Sequence, residues 1–189
     1  IMMITEDKKL LFNIIAQTKK NISKKIKNDG HSVYELEADV TIPAEYILMM
    51  HFLGEIDLKI QEKIKNYILK IQNKEGGWPL FYDGESNLSA TVKAYFALKL
   101  SGINEKNKNM LKARQLIINK GGAEKSNVFT RILLSMFGEI SWKTIPSMPI
   151  EIMNLPKWFP FNLGKISYWS RTVLVPLLII IHKKPVANN

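Results

Sequence analysis

Cysteine is absent from the 189 residues, which excludes a disulfide framework and thiolate zinc or nucleophile chemistry and suits a reducing compartment. Histidine is nearly absent: His31, His51 and His182 lie far apart and show no metal-ligand spacing. Aspartate occurs at five positions, Asp7, Asp29, Asp39, Asp57 and Asp83, which never come close together. Arginine is scarce too, with Arg114, Arg131 and Arg171 making up three of the 27 basic residues. The formal charge of +10 is therefore carried mainly by lysines scattered over polar helix faces. Base readout relies on arginine forks, so the charge reads as a solvated surface and nucleic acid is not expected as a partner; attraction to anionic lipid is a further reading. No long hydrophobic run is present: "TVLVPLLIII" at 172–181 spans ten residues, about half of the ~20 a spanning helix needs. It reads as a core helix. The N-terminal region alternates apolar residues with lysines, and no secretory signal is evident there. The chain opens on Ile1 and stops at "KKPVANN" without a terminal cap, which reads as a fragment.

Apolar residues make up 46% of the chain, enough for one domain with a sizeable core. They fall into two patterns. In "LLFNIIAQTKKNISKKI", Leu11, Ile15, Ile22 and Ile26 form one stripe with lysines elsewhere, followed by an Asp29-Gly30 stop. "LKIQEKIKNYILKIQ" (58–72) places Ile60, Ile64, Ile68 and Ile71 on one face and ends before Gly76-Gly77. "NEKNKNMLKARQLIINKGG" (104–122) repeats the scheme. The second pattern is apolar almost all round: "EYILMMHFLG" (45–54), "KAYFALKLSG" (93–102) and "FTRILLSMFG" (129–138) each end in glycine, at spacings of 48 and 36 residues. "YWSRTVLVPLLIII" (168–181) extends this series, with Pro176 expected to bend it. One-sided helices alternating with apolar ones imply two layers. The expected fold is all-α, an α/α barrel (toroid) of alternating inner and outer helices, incomplete in this chain. An N-terminal amphipathic helix over 1–30 leads into the partial barrel domain over 31–189. The stretch 145–161 carries Pro146, Pro149, Pro156 and Pro160 and reads as a long packed loop over one barrel end. No strand pattern is evident.

"KNYILKIQNKEGGW" (65–78) resembles the glutamine–tryptophan repeat of the triterpene cyclases, with Gln72, Gly76 and Trp78 in the order Q-x-x-x-G-x-W. With "LSATVKAYFALKL", "GGAEKSNVFTR", "MPIEIM", "WFPF" and "SYWSRTV" following in order, the chain resembles the N-terminal part of bacterial squalene–hopene cyclases from about "ELEADVTIPAEYIL" onward. The resemblance implies one of two α/α barrel domains flanking a hydrophobic cavity in which squalene folds and is cyclised to a hopanoid. It also implies no cofactor, no metal, peripheral attachment to the cytoplasmic side of a bacterial membrane, and room for a homodimer. In such enzymes the initiating acid is the central aspartate of an Asp-x-Asp-Asp motif in the other domain. This sequence has no such motif, so the chain alone is expected to be inactive.

A carbocation cascade needs a dry cavity that prefolds the substrate and walls that stabilise charge without attacking it. Aromatic faces do this through their quadrupoles. Trp169 matches the family's cavity-wall tryptophan in "SYWSRTV", and Phe129 matches an aromatic at the head of "FTRILLSMFG"; for Phe129 cavity lining and plain core packing are evenly matched readings. Glu45 and Lys93 stand at the same repeat position as Phe129, nine residues before the glycine, so all three should point alike. Two charges on apolar helices form either a polar rim at the cavity mouth or a charge pair between neighbouring helices. Glu45 matches the family, whereas Lys93 replaces a carboxylate that some relatives carry. Gln72, Gly76 and Trp78 are expected to staple outer helices. His51 reads as a hydrogen-bonded core histidine. Arg131 and Arg171 are expected to form salt bridges to Glu35, Glu37 or Glu124, and Met49 and Met50 to fill core gaps. Near "KNDGHSVYELEAD" a further glutamine–tryptophan repeat has decayed: Ile26 stands in the glutamine place and Ser32 where an aromatic is usual.

Two other functions remain open from sequence: a non-catalytic α/α barrel binding an isoprenoid or a partner protein, and a glycan-processing toroid. The latter needs paired carboxylates in a cleft. Glu35, Glu37 and Asp39 cluster in sequence, but apolar inner helices argue against a sugar site.

Overall fold

A computed structural model describes residues 2–33, 39–160 and 162–187, without the side chains of 2–6. The chain divides into two units, 1–37 and 38–189. The first unit holds helix α1 (Met2–Ser23) and a turn closed by one antiparallel bridge between Ile26 and Ser32. Gly30, at φ 89°, supplies the left-handed residue of that turn, and the Gly30 amide bonds back to the Lys27 carbonyl.

The described residues of the second unit form helices joined by turns and loops: α2 (Thr41–Leu53), α3 (Leu58–Lys70), α4 (Leu88–Leu100), α5 (Lys108–Asn119), α6 (Val128–Met136) and α7 (Tyr168–Lys183). Five starts follow from side-chain capping. Asp57, Asn87, Asn107, Asn127 and Ser167 each accept an amide of the first turn, which satisfies donors that have no partner within the helix. Gly54, Gly102 and Gly138 follow the ends of α2, α4 and α6 with φ between 72° and 82°. That conformation suits glycine.

Helix α4 is the hub. It packs against α2, α3, α5 and α6, and Ala90 through Ala94 are all buried, as are Phe96, Ala97 and Leu98. Its alanines allow close approach while Phe96 fills the space at its far end. Helices α2, α4 and α6 run in the same direction, because they meet at both ends. At the N-terminal end Lys93 bonds Glu45, and the Asn127 amide bonds the Ser89 hydroxyl. At the C-terminal end Phe137 receives Phe96 and Phe52 edge-on at 5.2 and 6.0 Å. Ile132 of α6, Ile145 of the following loop and Ile181 of α7 form a second core, supported by Met148 and Leu177.

These helices form the two-layer, all-α arrangement of an α/α toroid that the periodicity implied. Several boundaries shift. Helix α3 ends at Lys70, ahead of the glycine pair. Helix α5 begins at Lys108, because Asn107 and not Asn104 is the cap. Helix α7 continues through Pro176 to Lys183. The described part of the proline-rich stretch contains a 3-10 turn at Ile150–Asn154 that packs on α7, and further such turns stand at Trp142–Thr144 before it and Leu163–Lys165 after it.

Most of α4 is buried, whereas its neighbour α2 keeps one apolar face open. Along α2, Ile42, Tyr46, Met49 and Leu53 remain exposed. Their spacing of four, three and four residues puts them on one face. Met50 does fill the core, but Met49 lies on that exposed stripe. Continuous apolar sequence reports that a helix is avoided by polar residues; it does not report how many neighbours cover it.

Candidate functional site

The "QNKEGGW" turn is the best-determined feature. Gln72, just past α3, donates one side-chain amide to two carbonyls, Gly76 at 2.8 Å and Asn109 at 3.0 Å, so it ties the end of α3 to the start of α5. Trp78 is fully buried and donates its indole N–H to the Ile68 carbonyl at 2.8 Å. Gly76 has φ 93°, and a Cβ there would collide with Lys112 on α5. Its neighbour Gly77 lies against Ser86 and Leu116. The turn therefore lies along α5 so closely that side chains are excluded. A network that sequence reading missed completes it: Asn73 accepts the Gly77 amide and donates to the Ser86 hydroxyl, which donates to Glu75. Lys120 then caps the Ser86 carbonyl at 2.5 Å. The signal for it was present in the polar residues around the two glycines, but apart from Asn73 with Gly77 their pairings join positions more than ten apart.

Glu45 and Lys93 do come together. The Lys93 ammonium donates to the Glu45 carboxylate at 2.5 Å. The lysine is only 7% exposed, whereas the Glu45 side chain is 45% exposed. A buried lysine on α4 thus reaches out to a carboxylate at the surface of α2, and its aliphatic stem accounts for its place in an apolar layer. The third residue of this repeat position differs: Phe129, at the second position of α6, is 55% exposed.

Trp169, the second residue of α7, is 81% exposed and stacks edge-on against Tyr168, with ring centroids 6.3 Å apart. Ser167 caps this helix by accepting the Ser170 amide, so the first turn presents its aromatic side chains from a fixed backbone. Val173 continues the exposed apolar surface one turn later. No hydrogen bond or ring contact joins Phe129 to Trp169 among the described residues. Glu45, Lys93, Phe129 and Trp169 all lie in the N-terminal halves of their helices.

The arginines bond differently from expectation. Arg131 donates to the Thr144 carbonyl at 2.9 Å, tying α6 to the loop without an ion pair to Glu124. Arg171 forms no ion pair among the described residues, and its Nε is buried without a partner. Glu35 and Glu37 lie outside the described residues. His51 has a partner that sequence did not reveal: Nε2 lies 2.7 Å from the Gln61 side-chain oxygen on α3. Among the described residues no group of three His, Cys, Asp or Glu could hold a metal ion, and no helix is long and apolar enough to cross a membrane.

Chemically, the exposed aromatic faces offer apolar contact and quadrupole attraction for a cation, and they carry no nucleophile. Residues 15–189 match the squalene-hopene cyclase N-terminal domain family. A squalene–hopene cyclase from Zymomonas mobilis is 54% identical over 93% of this chain and 27% of its own length. One from Bradyrhizobium diazoefficiens is 54% identical over 86% of this chain and 25% of its own, and one from Alicyclobacillus acidocaldarius is 39% identical over 85% and 25%. The chain spans about a quarter of the length of these relatives. The match covers α2 to α7 in full and the C-terminal part of α1. By this match, the chain belongs to the squalene-hopene cyclase N-terminal domain family.

Proposed function

We propose that this chain supplies one wall of the cavity in which a squalene–hopene-type cyclase converts squalene to a hopanoid. The observation that carries the proposal is Trp169: a large aromatic side chain, 81% exposed, at the head of an apolar helix in a chain of this family. An exposed indole beside exposed Tyr168 and Val173 is costly in water and useful against a polyene. As cationic character moves along the folded substrate, an aromatic face stabilises it by about 0.5–2 kcal/mol without trapping it. Phe129 serves the same purpose from α6. The Glu45–Lys93 pair forms a polar rim whose charges neutralise each other. Gln72, Gly76 and Trp78 contribute stability and no chemistry.

The initiating acid lies outside this sequence, in an Asp-x-Asp-Asp motif of a second barrel domain. This chain on its own is therefore inactive. The parent enzyme sits peripherally on the cytoplasmic side of the membrane that dissolves its substrate, as a monomer or homodimer, and needs no cofactor. The test is incubation of the full-length protein with squalene, followed by product identification. Hopanoid formation that stops when the central aspartate of the motif is replaced by asparagine supports the proposal. A full-length protein that lacks the motif, or that leaves squalene unchanged, refutes it.

A further inference from the structure

The first turn of α7 holds its backbone on both sides of Trp169. The Ser167 hydroxyl accepts the Ser170 amide at 3.2 Å and lies 2.8 Å from the Ser170 hydroxyl, while the Thr172 hydroxyl donates to the Trp169 carbonyl at 2.7 Å. With the main chain fixed, the freedom left to Trp169 is rotation about its side-chain bonds. Neighbouring residues on a helix point about 100° apart and do not ordinarily face each other. Tyr168 and Trp169 nevertheless meet, with ring centroids 6.3 Å apart and planes inclined at 76°. Both side chains lean toward each other to do so. The contact joins consecutive residues of one helical turn, so local sequence sets it and no distant segment is needed.

Orientation matters for an indole that is to stabilise positive charge. The ring face carries the negative part of the quadrupole and the edge the positive part, so turning face to edge changes attraction into repulsion. An unbraced side chain at the head of a helix divides its time among several rotamers. An edge-to-face neighbour favours those in which the rings touch, by about two- to tenfold for a contact of this geometry. The Tyr168 hydroxyl makes no hydrogen bond among the described residues. The ring therefore carries the contact, and the phenol oxygen is dispensable to it.

We propose that Tyr168 is a positioning residue for Trp169, its ring bracing the indole in the orientation that presents an aromatic face to the cationic substrate. This inference rests on the cavity-wall reading above and names the residue that aims the indole of that wall.

The test measures squalene conversion by the full-length protein as wild type, Tyr168→Phe, Tyr168→Leu, Trp169→Ala and the double variant Tyr168→Leu with Trp169→Ala. The proposal expects Tyr168→Phe, which keeps the ring, to turn over within about twofold of wild type and to give the same products. Tyr168→Leu keeps apolar bulk and helix propensity but no ring. It should lower kcat by about two- to tenfold and leave KM within about twofold, because the brace acts on charge that exists only during the cascade. In the Trp169→Ala background, Tyr168→Leu should lower turnover no further. A Tyr168→Leu enzyme that matches wild type, an equal loss in Tyr168→Phe, a change confined to KM, or the same fold-loss with and without Trp169 each overturn it. A folding defect would act equally in both backgrounds and so counts against the proposal. Should Trp169→Ala itself convert squalene like wild type, the cavity-wall reading falls and this inference with it. The other contrary outcomes leave that reading standing.

Discussion

Trp78 shows how one side chain can be structural despite its aromatic character. It is fully buried, and its N–H satisfies the Ile68 carbonyl near the end of α3. Trp78→Ala should lower the unfolding free energy by about 3–5 kcal/mol through lost burial and the cavity left behind. Trp78→Phe should cost less, about 1–3 kcal/mol, since it leaves the carbonyl unpaired but keeps most of the packing. Denaturant titration of the two variants checks the order. Gly76→Ala combines a positive φ with a collision against Lys112, so it should destabilise by more than the ~1 kcal/mol of an unstrained glycine replacement. The Glu45–Lys93 pair makes an asymmetric prediction. Glu45→Ala strands a buried ammonium and should cost about 1–3 kcal/mol, discounted because the carboxylate is half exposed. Lys93→Met removes the charge and keeps the stem, and should change stability by less than about 1 kcal/mol. A larger loss for Lys93→Met than for Glu45→Ala would show that the charge itself holds α2 to α4.

Among the helices, α4 carries most of the fold because its two ends and four sides are all engaged. Its C-terminal half also places Tyr95 where burial raises the phenol above its ordinary value, with Glu105 adding to the shift and Lys99 opposing it. A raised phenol pKa means that the folded state favours the neutral form. Its contribution to stability is present below the unfolded value of about 10 and is lost as pH rises through the higher folded value. Alkaline unfolding should therefore be less steep in Tyr95→Phe than in wild type, while near pH 7 the two should share the same pH dependence. The helices themselves were legible in the sequence, since spacing of isoleucines and terminal glycines marks both kinds. Their caps were legible in part: Asn127 stands directly before an apolar run, whereas Asn104 and Asn107 compete for the start of α5 and only the backbone decides. Burial was the least legible. Met49 and Met50 are adjacent and chemically identical, yet one is exposed and one is core, because a 100° step on α2 separates them. The bond from Arg131 to the Thr144 carbonyl was not legible, since a backbone carbonyl leaves no trace in the sequence.

Taken together, the described chain keeps a well-packed centre around α4 and presents large apolar side chains at its margins: the α2 stripe, Phe129 and the first turn of α7. Exposed surfaces of that kind are expected at interfaces and ligand cavities, and the cavity wall proposed above would give them a use. Polar anchoring and apolar presentation are divided between different residues. Gln72, Gly76 and Trp78 tie α3 to α5 and to the turn between them, while Trp169 and Phe129 are exposed. The division is testable with one comparison, the product spectrum and turnover of full-length wild type and Trp169→Ala with squalene. Because Trp169 is 81% exposed, its removal should leave the melting temperature nearly unchanged while turnover falls at least about tenfold or partly cyclised products are released, as loss of ~1.4 kcal/mol of transition-state stabilisation requires. Unchanged turnover with the same products would contradict the placement of Trp169 on the cavity wall, and with it the use proposed for this chain.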